Sequence, residues 1–206
     1  MFKRIIENRG NEFQDFIVKM AYFAEIKEWD NHAHLERIRK YCYILASGLG
    51  LLPNDIDIIS LASQLHDVGK ALLPEDLMRR NGNFEESEWK TVERHTIEGA
   101  LMLQGTSSPI LEMAKTIAFT HHERWDGSGY PEKMIKEEIP ICGRIVGLVD
   151  VFDALTSMRN YKVAMDENAA LKMITQSSGT LFDPRVVTIF ENKFIEIARV
   201  KNSLVK

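Results

Sequence analysis

His66 and Asp67 are adjacent, His121 and His122 are adjacent, and Asp150 interrupts an otherwise apolar run, where an unpaired carboxylate would be costly to bury. A shared metal centre would account for all three features. Taken singly, each of the six histidines reads first as a surface residue or a hydrogen-bonded core residue. The joint arrangement shifts the weight towards ligation. Imidazole nitrogen with carboxylate oxygen and no thiolate suits iron, manganese or zinc rather than copper(I) or an iron–sulfur cluster.

Two further groups bear on that chemistry. Asp30 and His34 are four residues apart, so a helix that begins by Asp30 carries both side chains on one face. Asp30 then either joins the cluster or caps the helix that carries His34. Lys70 follows Asp67 by three residues and places a cation beside a candidate anion-binding metal, an arrangement suited to charge building up on phosphoryl oxygens. The alternative is an ion pair between Lys70 and Asp67.

The elements that must position these residues read as helices. Apolar residues recur at helical spacing from Phe13 to Ala24, and again from about Ala33 to Leu49, with Leu35, Ile38, Tyr41, Cys42 and Leu45 inward. Asn54 is placed to cap a third helix that ends at His66-Asp67, and Ser108-Pro109 opens one that ends at His121-His122. The stretch 123–131 has turn chemistry and no period. Periodicity resumes at Ile141 and runs past Asp150, and Asp166-Glu167 and Asp183-Pro184 start two last helices. No strand alternation occurs, so the class is all-α, a single domain of about eight or nine helices.

Net charge is -4 on 206 residues, which excludes broad attraction to duplex nucleic acid. No apolar stretch approaches a membrane span, which argues against membrane insertion. Cys42 and Cys142 form no metal-binding or disulfide pattern, so a reducing cytoplasm is the expected setting.

HDVGK at 66–70, an isolated His95, HHERWDGSGYP at 121–131 and DVFDALTSMRNYK at 150–162 together resemble the HD-GYP group of HD phosphohydrolases, in order and in spacing. The sequence pattern makes residues 1–29 a helix leading into the domain and 201–206 a frayed tail, and the resemblance, which spans about Asp30 to Phe190, implies 30–200 as the phosphohydrolase domain. It implies metal ligation by His34, His66, Asp67, His95, His121, His122 and Asp150, with Asp67 bridging two divalent ions, Fe or Mn. Asp30 falls where members with three metals carry a glutamate. Lys70 matches a phosphate-contacting lysine. Arg159 and Lys162 match the pair that holds substrate phosphates, although Asn160 replaces the usual proline between them. Gly129, Tyr130 and Pro131 keep the GYP loop, which the family associates with cyclic di-GMP turnover and with docking to diguanylate cyclase domains.

The function expected from the resemblance is metal-dependent hydrolysis of cyclic di-GMP to linear pGpG, with GMP from a second cut. Asp67 and Lys70 are the catalytic candidates. Trp125, Tyr130 and Tyr161 either stack on a base or pack. Three competing readings are a silent sensing or cyclase-docking module, a di-iron oxygenase, and a hydrolase of another phosphorylated nucleotide. The complete ligand set argues against the first, and the phosphate-directed cations argue against the second.

Overall fold

The structure, a computed structural model, describes residues 2–24, 31–78, 84–158 and 163–204. Asp30, Arg159, Tyr161 and Lys162 lie outside the described residues. Among those described there are ten α-helices, three short 3-10 turns and only isolated β-bridges, so the class is all-α.

Helix α1 (Phe2–Ala24) buries Ile17, Ala21 and Ala24 and packs against the segments on either side of His66-Asp67. It begins well before Phe13; between Phe2 and Phe13 only Ile5 and Ile6 are apolar, too few to show a period. Helix α2 (Asn31–Gly48) turns Leu35, Ile38, Tyr41, Cys42 and Leu45 inward, as the periodicity predicts. Helix α3 (Pro53–Ala62) starts differently from expectation. Leu52 occupies the cap position in extended conformation and Pro53 sits in the first turn, so Asn54 does not cap it. Proline there loses nothing, because its missing N–H would have had no helical acceptor. After Ala62 the chain tightens into a 3-10 turn, Ser63–Leu65, and past His66-Asp67 into a second, Val68–Leu72.

Helices α4 (Glu75–Met78), α5 (Glu86–Glu93), α6 (His95–Met102) and α7 (Pro109–Thr120) follow. Helix α8 (Ile141–Thr156) is the centre of the core: Ile145, Val146, Leu148, Val149 and Phe152 are fully buried. It packs on α2, α7, α9 (Glu167–Gln176) and α10 (Pro184–Leu204). Phe152 meets Tyr41 and Phe190 edge-on at 5.7 and 5.1 Å. Each such side chain contributes about 1.5–3 kcal/mol on burial, so this apolar slab can support a cluster of buried polar groups at one end. Helix α10 runs on to Leu204 and buries Lys201, past Val200, where the sequence pattern predicts fraying.

Burial raises the Cys42 thiol pKa to about 12 and the Cys142 thiol to about 11. Both therefore stay unmodified by a thiol reagent at pH 8 while the chain is folded and react fully in denaturant, which a timed labelling experiment followed by mass spectrometry checks. Rapid labelling of the native chain would contradict this packing.

Candidate metal centre

Two groups of ligand-type side chains adjoin one another. Asp67, His95, His121 and His122 form one and His34, His66 and Asp150 the other, and within each the candidate donor atoms lie within 4.8 Å of one another. Metal–donor bonds of about 2.0–2.2 Å put the outermost donors of one ion about 4 Å apart, so each group needs little contraction to hold an ion. Asp67 lies between the groups. Its Oδ1 is 3.2 Å from His95 Nε2 and 3.5 Å from His121 Nε2, while its Oδ2 is 3.2 Å from His66 Nε2. Across the second group, Asp150 Oδ1 is 3.8 Å from His66 Nε2 and 3.9 Å from His34 Nε2.

The other ring nitrogens explain why these edges converge. His66 Nδ1 donates to Ser63 O at 3.0 Å, His95 Nδ1 to Val92 O at 2.6 Å, and His121 Nδ1 to Ala118 O at 3.0 Å. A carbonyl only accepts, so the proton sits on Nδ1 and the Nε2 lone pair faces the cluster. Burial, with neighbouring histidines adding to it, holds the His122 pKa well below its usual value, and burial likewise lowers that of His121. Both rings are therefore neutral. Burial alone would raise the Asp67 pKa, but the Lys70 ammonium beside it keeps it well below the carboxylate range. Its Oδ1 is nonetheless buried with no hydrogen-bond partner. An ionised carboxylate oxygen left in this state, facing two imidazole lone pairs, fits a divalent cation in chemistry as well as in spacing.

Local structure brings the pieces together. The turn after Asp67 lies so close to α6 that a Cβ on Gly69 would stand 2.0 Å from His95 O, which only glycine permits. Lys70 Nζ is 2.5 Å from Asp67 Oδ2, so the ion pair that the sequence leaves open is formed here. Tyr130 stacks on His122, with ring centroids 4.8 Å apart, and Arg144 lies over Trp125 at 5.7 Å. Both aromatic rings thus have packing partners. Gly129 is buried against the chain at His122–Arg124, where a Cβ would come within 2.4 Å of Arg124 N.

A family model described as HD domain matches residues 20–186. The chain belongs to the HD domain family. Among curated proteins, this HD domain is 34% identical over 191 residues to "3'3'-cGAMP-specific phosphodiesterase 2" of Vibrio cholerae, covering 93% of this chain and 37% of that protein. It is 38% identical over 182 residues to "Cyclic di-GMP phosphodiesterase response regulator RpfG" of Xanthomonas campestris pv. campestris, covering 88% and 47%. The chain thus spans about half or less of these relatives' length. The solved structure of Bd1817, an HDG"Y"P protein from Bdellovibrio bacteriovorus, superposes with a TM-score of 0.65 at 18% identity, over 90% of this chain and 63% of that one, a likeness of fold.

Two other residues that shape the centre of this HD domain lie inside the quoted stretches, but nothing in their spacing assigns them a role. Asp153, one turn beyond Asp150 on α8, accepts from His34 Nδ1 at 2.8 Å and from Arg37 Nε at 2.6 Å. Glu123 accepts from Glu132 N at 2.7 Å and Met134 N at 3.0 Å, closing the loop that bears Tyr130. Asp153 meets its partners across 116 and 119 residues, a separation that leaves no period to reveal it. Replacing Glu123 with alanine leaves both amides without their acceptor and lowers stability by about 1–3 kcal/mol. Urea unfolding of the variant and parent measures that loss. An unchanged midpoint would show that Glu123 does not hold the loop.

Proposed function

We propose that this HD domain is a divalent-metal-dependent phosphodiesterase that opens a cyclic dinucleotide, cyclic di-GMP first, to the linear dinucleotide pGpG, with GMP from a second cut. The observation that carries this reading is the position of Asp67 between two adjoining histidine–carboxylate groups. Relatives whose names specify cyclic di-GMP and 3'3'-cGAMP support the substrate class.

In this reading His34, His66 and Asp150 would hold one ion and His95, His121 and His122 the other, with Asp67 shared between them and Asp30 the candidate carboxylate for a third. Iron or manganese, when bound, supplies Lewis acidity towards phosphoryl oxygen and a nucleophile derived from water at neutral pH. Lys70 keeps Asp67 ionised and places a positive charge where negative charge grows on the non-bridging oxygens. Tyr130, flanked by Gly129 and Pro131, walls the cluster on the His122 side. Arg159 and Lys162 hold the second phosphate, bidentate contact being the natural use of the arginine. The loop of Gly129, Tyr130 and Pro131 is the surface for docking a diguanylate cyclase domain. A cytoplasmic site of action belongs to this reading, and no helix among the described residues is long and apolar enough to cross a membrane.

The test is product chromatography after incubating the Mn(II)-loaded chain with cyclic di-GMP and, separately, with 3'3'-cGAMP. The expected product from the first is pGpG. Cleavage of 3'3'-cGAMP alone would move the substrate to the mixed dinucleotide, and two intact substrates would overturn the phosphodiesterase reading.

A further inference from the structure

A buried cation enters the neighbourhood of His34 from the far end of the chain. Lys201, in the last turns of α10, is 5% exposed and lies beyond residue 186, where the family match ends. Lysine is almost never buried without partners. Its ammonium donates to Ser157 Oγ at 2.5 Å and lies 3.7 Å from Asp153 Oδ1. Ser157 Oγ is in turn 3.2 Å from Asp153 Oδ2 and accepts from Arg37 Nη2 at 3.1 Å. Arg37 grips both oxygens of Asp153, at 2.6 and 2.9 Å, and the carboxylate so fixed accepts from His34 Nδ1 at 2.8 Å.

We infer that Lys201 is a positioning residue for the metal centre, fixing the Ser157–Asp153 pair that orients the His34 ring. This rests on the reading that His34, His66 and Asp150 take a metal ion. Asp150 and Asp153 are one turn apart on α8, so the same helix face carries a candidate ligand and the carboxylate that aims its neighbour. A ring that donates Nδ1–H to a fixed carboxylate has one tautomer and one orientation, and its Nε2 then points at the cluster. Arg37 grips both oxygens of Asp153, and the Ser157 hydroxyl and the Lys201 ammonium complete the donors around that carboxylate. Lys201 holds Ser157, the residue after the last turn of α8, and so ties that end of the helix to α10.

The test compares full-length parent, Lys201→Met, Lys201→Arg, Ser157→Ala and Lys193→Met, the last removing an exposed lysine from the same helix. Two readouts are needed: Mn(II) titration with stoichiometry, and histidine ring nitrogen–proton correlations in the metal-free chain. The expected result for Lys201→Met and Ser157→Ala is one Mn(II) equivalent weakened about 10–100-fold with the other retained. The His34 Nδ1–H signal of these two variants also shifts or broadens. Lys201→Arg recovers part of the affinity and Lys193→Met matches the parent. Parent-like Mn(II) affinities and an unmoved His34 signal in Ser157→Ala, or in a folded Lys201→Met, overturn the inference. A parent that binds no Mn(II) sinks the metal reading itself, while the His34 signal still shows whether Lys201 positions the ring.

Discussion

On the proposed function, the expected result for Asp67→Asn is turnover of cyclic di-GMP lowered about 1,000-fold or more and Mn(II) no longer retained by the chain. The substitution keeps the shape of the side chain, and the residue is almost fully buried, so folding is spared the void that alanine would leave. What it removes is charge. In the native side chain one oxygen faces His95 and His121 and the other faces His66 and Lys70. An amide nitrogen carries two protons and offers no lone pair to a metal, and the neutral side chain cannot offset the charge of a cation placed between the two groups. One group loses its oxygen donor and both lose the negative charge between them, so the effect exceeds that of any single histidine. Metal analysis alongside initial rates checks this, and near-native turnover with full metal content would refute the bridging role.

Arg37→Met is the substitution with the largest expected cost to folding, about 3–5 kcal/mol, because it leaves Asp153 buried with its main counter-charge gone. Both residues are 1% exposed, and the guanidinium contacts each carboxylate oxygen. Burial would raise the Asp153 pKa, yet His34 and Arg37 hold it far below the carboxylate range. A depressed folded value means that the stabilisation is complete above the unfolded value of about 3.9 and is lost only as pH falls below it. The gap between parent and variant is therefore steady from about pH 8 to pH 5 and narrows below about pH 4. Urea unfolding across that range measures it. A variant within about 1 kcal/mol of the parent at pH 7 would show that the pair does not carry this part of the core.

The parts of this molecule legible in its sequence are those in which local pattern and tertiary role agree. Leu35, Ile38, Tyr41, Cys42 and Leu45 repeat with the helix and face inward on α2. The dipeptides His66-Asp67 and His121-His122 follow helical runs, and the structure does bring them together. Asp150 is less enclosed than its apolar neighbours suggest, with a side chain 19% exposed, because it faces the cluster. Arg37 escapes notice because arginine in an amphipathic helix reads as surface. Its partner Asp153 is 116 residues away, and Lys201 meets Ser157 across 44. Separations of that size leave no periodic trace. Helix α4 is only four residues long, too short for a period, and the cap expected at Asn54 yields to Pro53 in the first turn.

The most direct measurement of the central claim is anaerobic incubation of the metal-free chain with cyclic di-GMP, with and without added Fe(II) or Mn(II), beside a His66→Ala/Asp67→Ala control. The account predicts linear dinucleotide only where metal and the intact cluster are both present. Equal cleavage without metal or by the control, or intact substrate in a chain shown to be fully loaded, would contradict it.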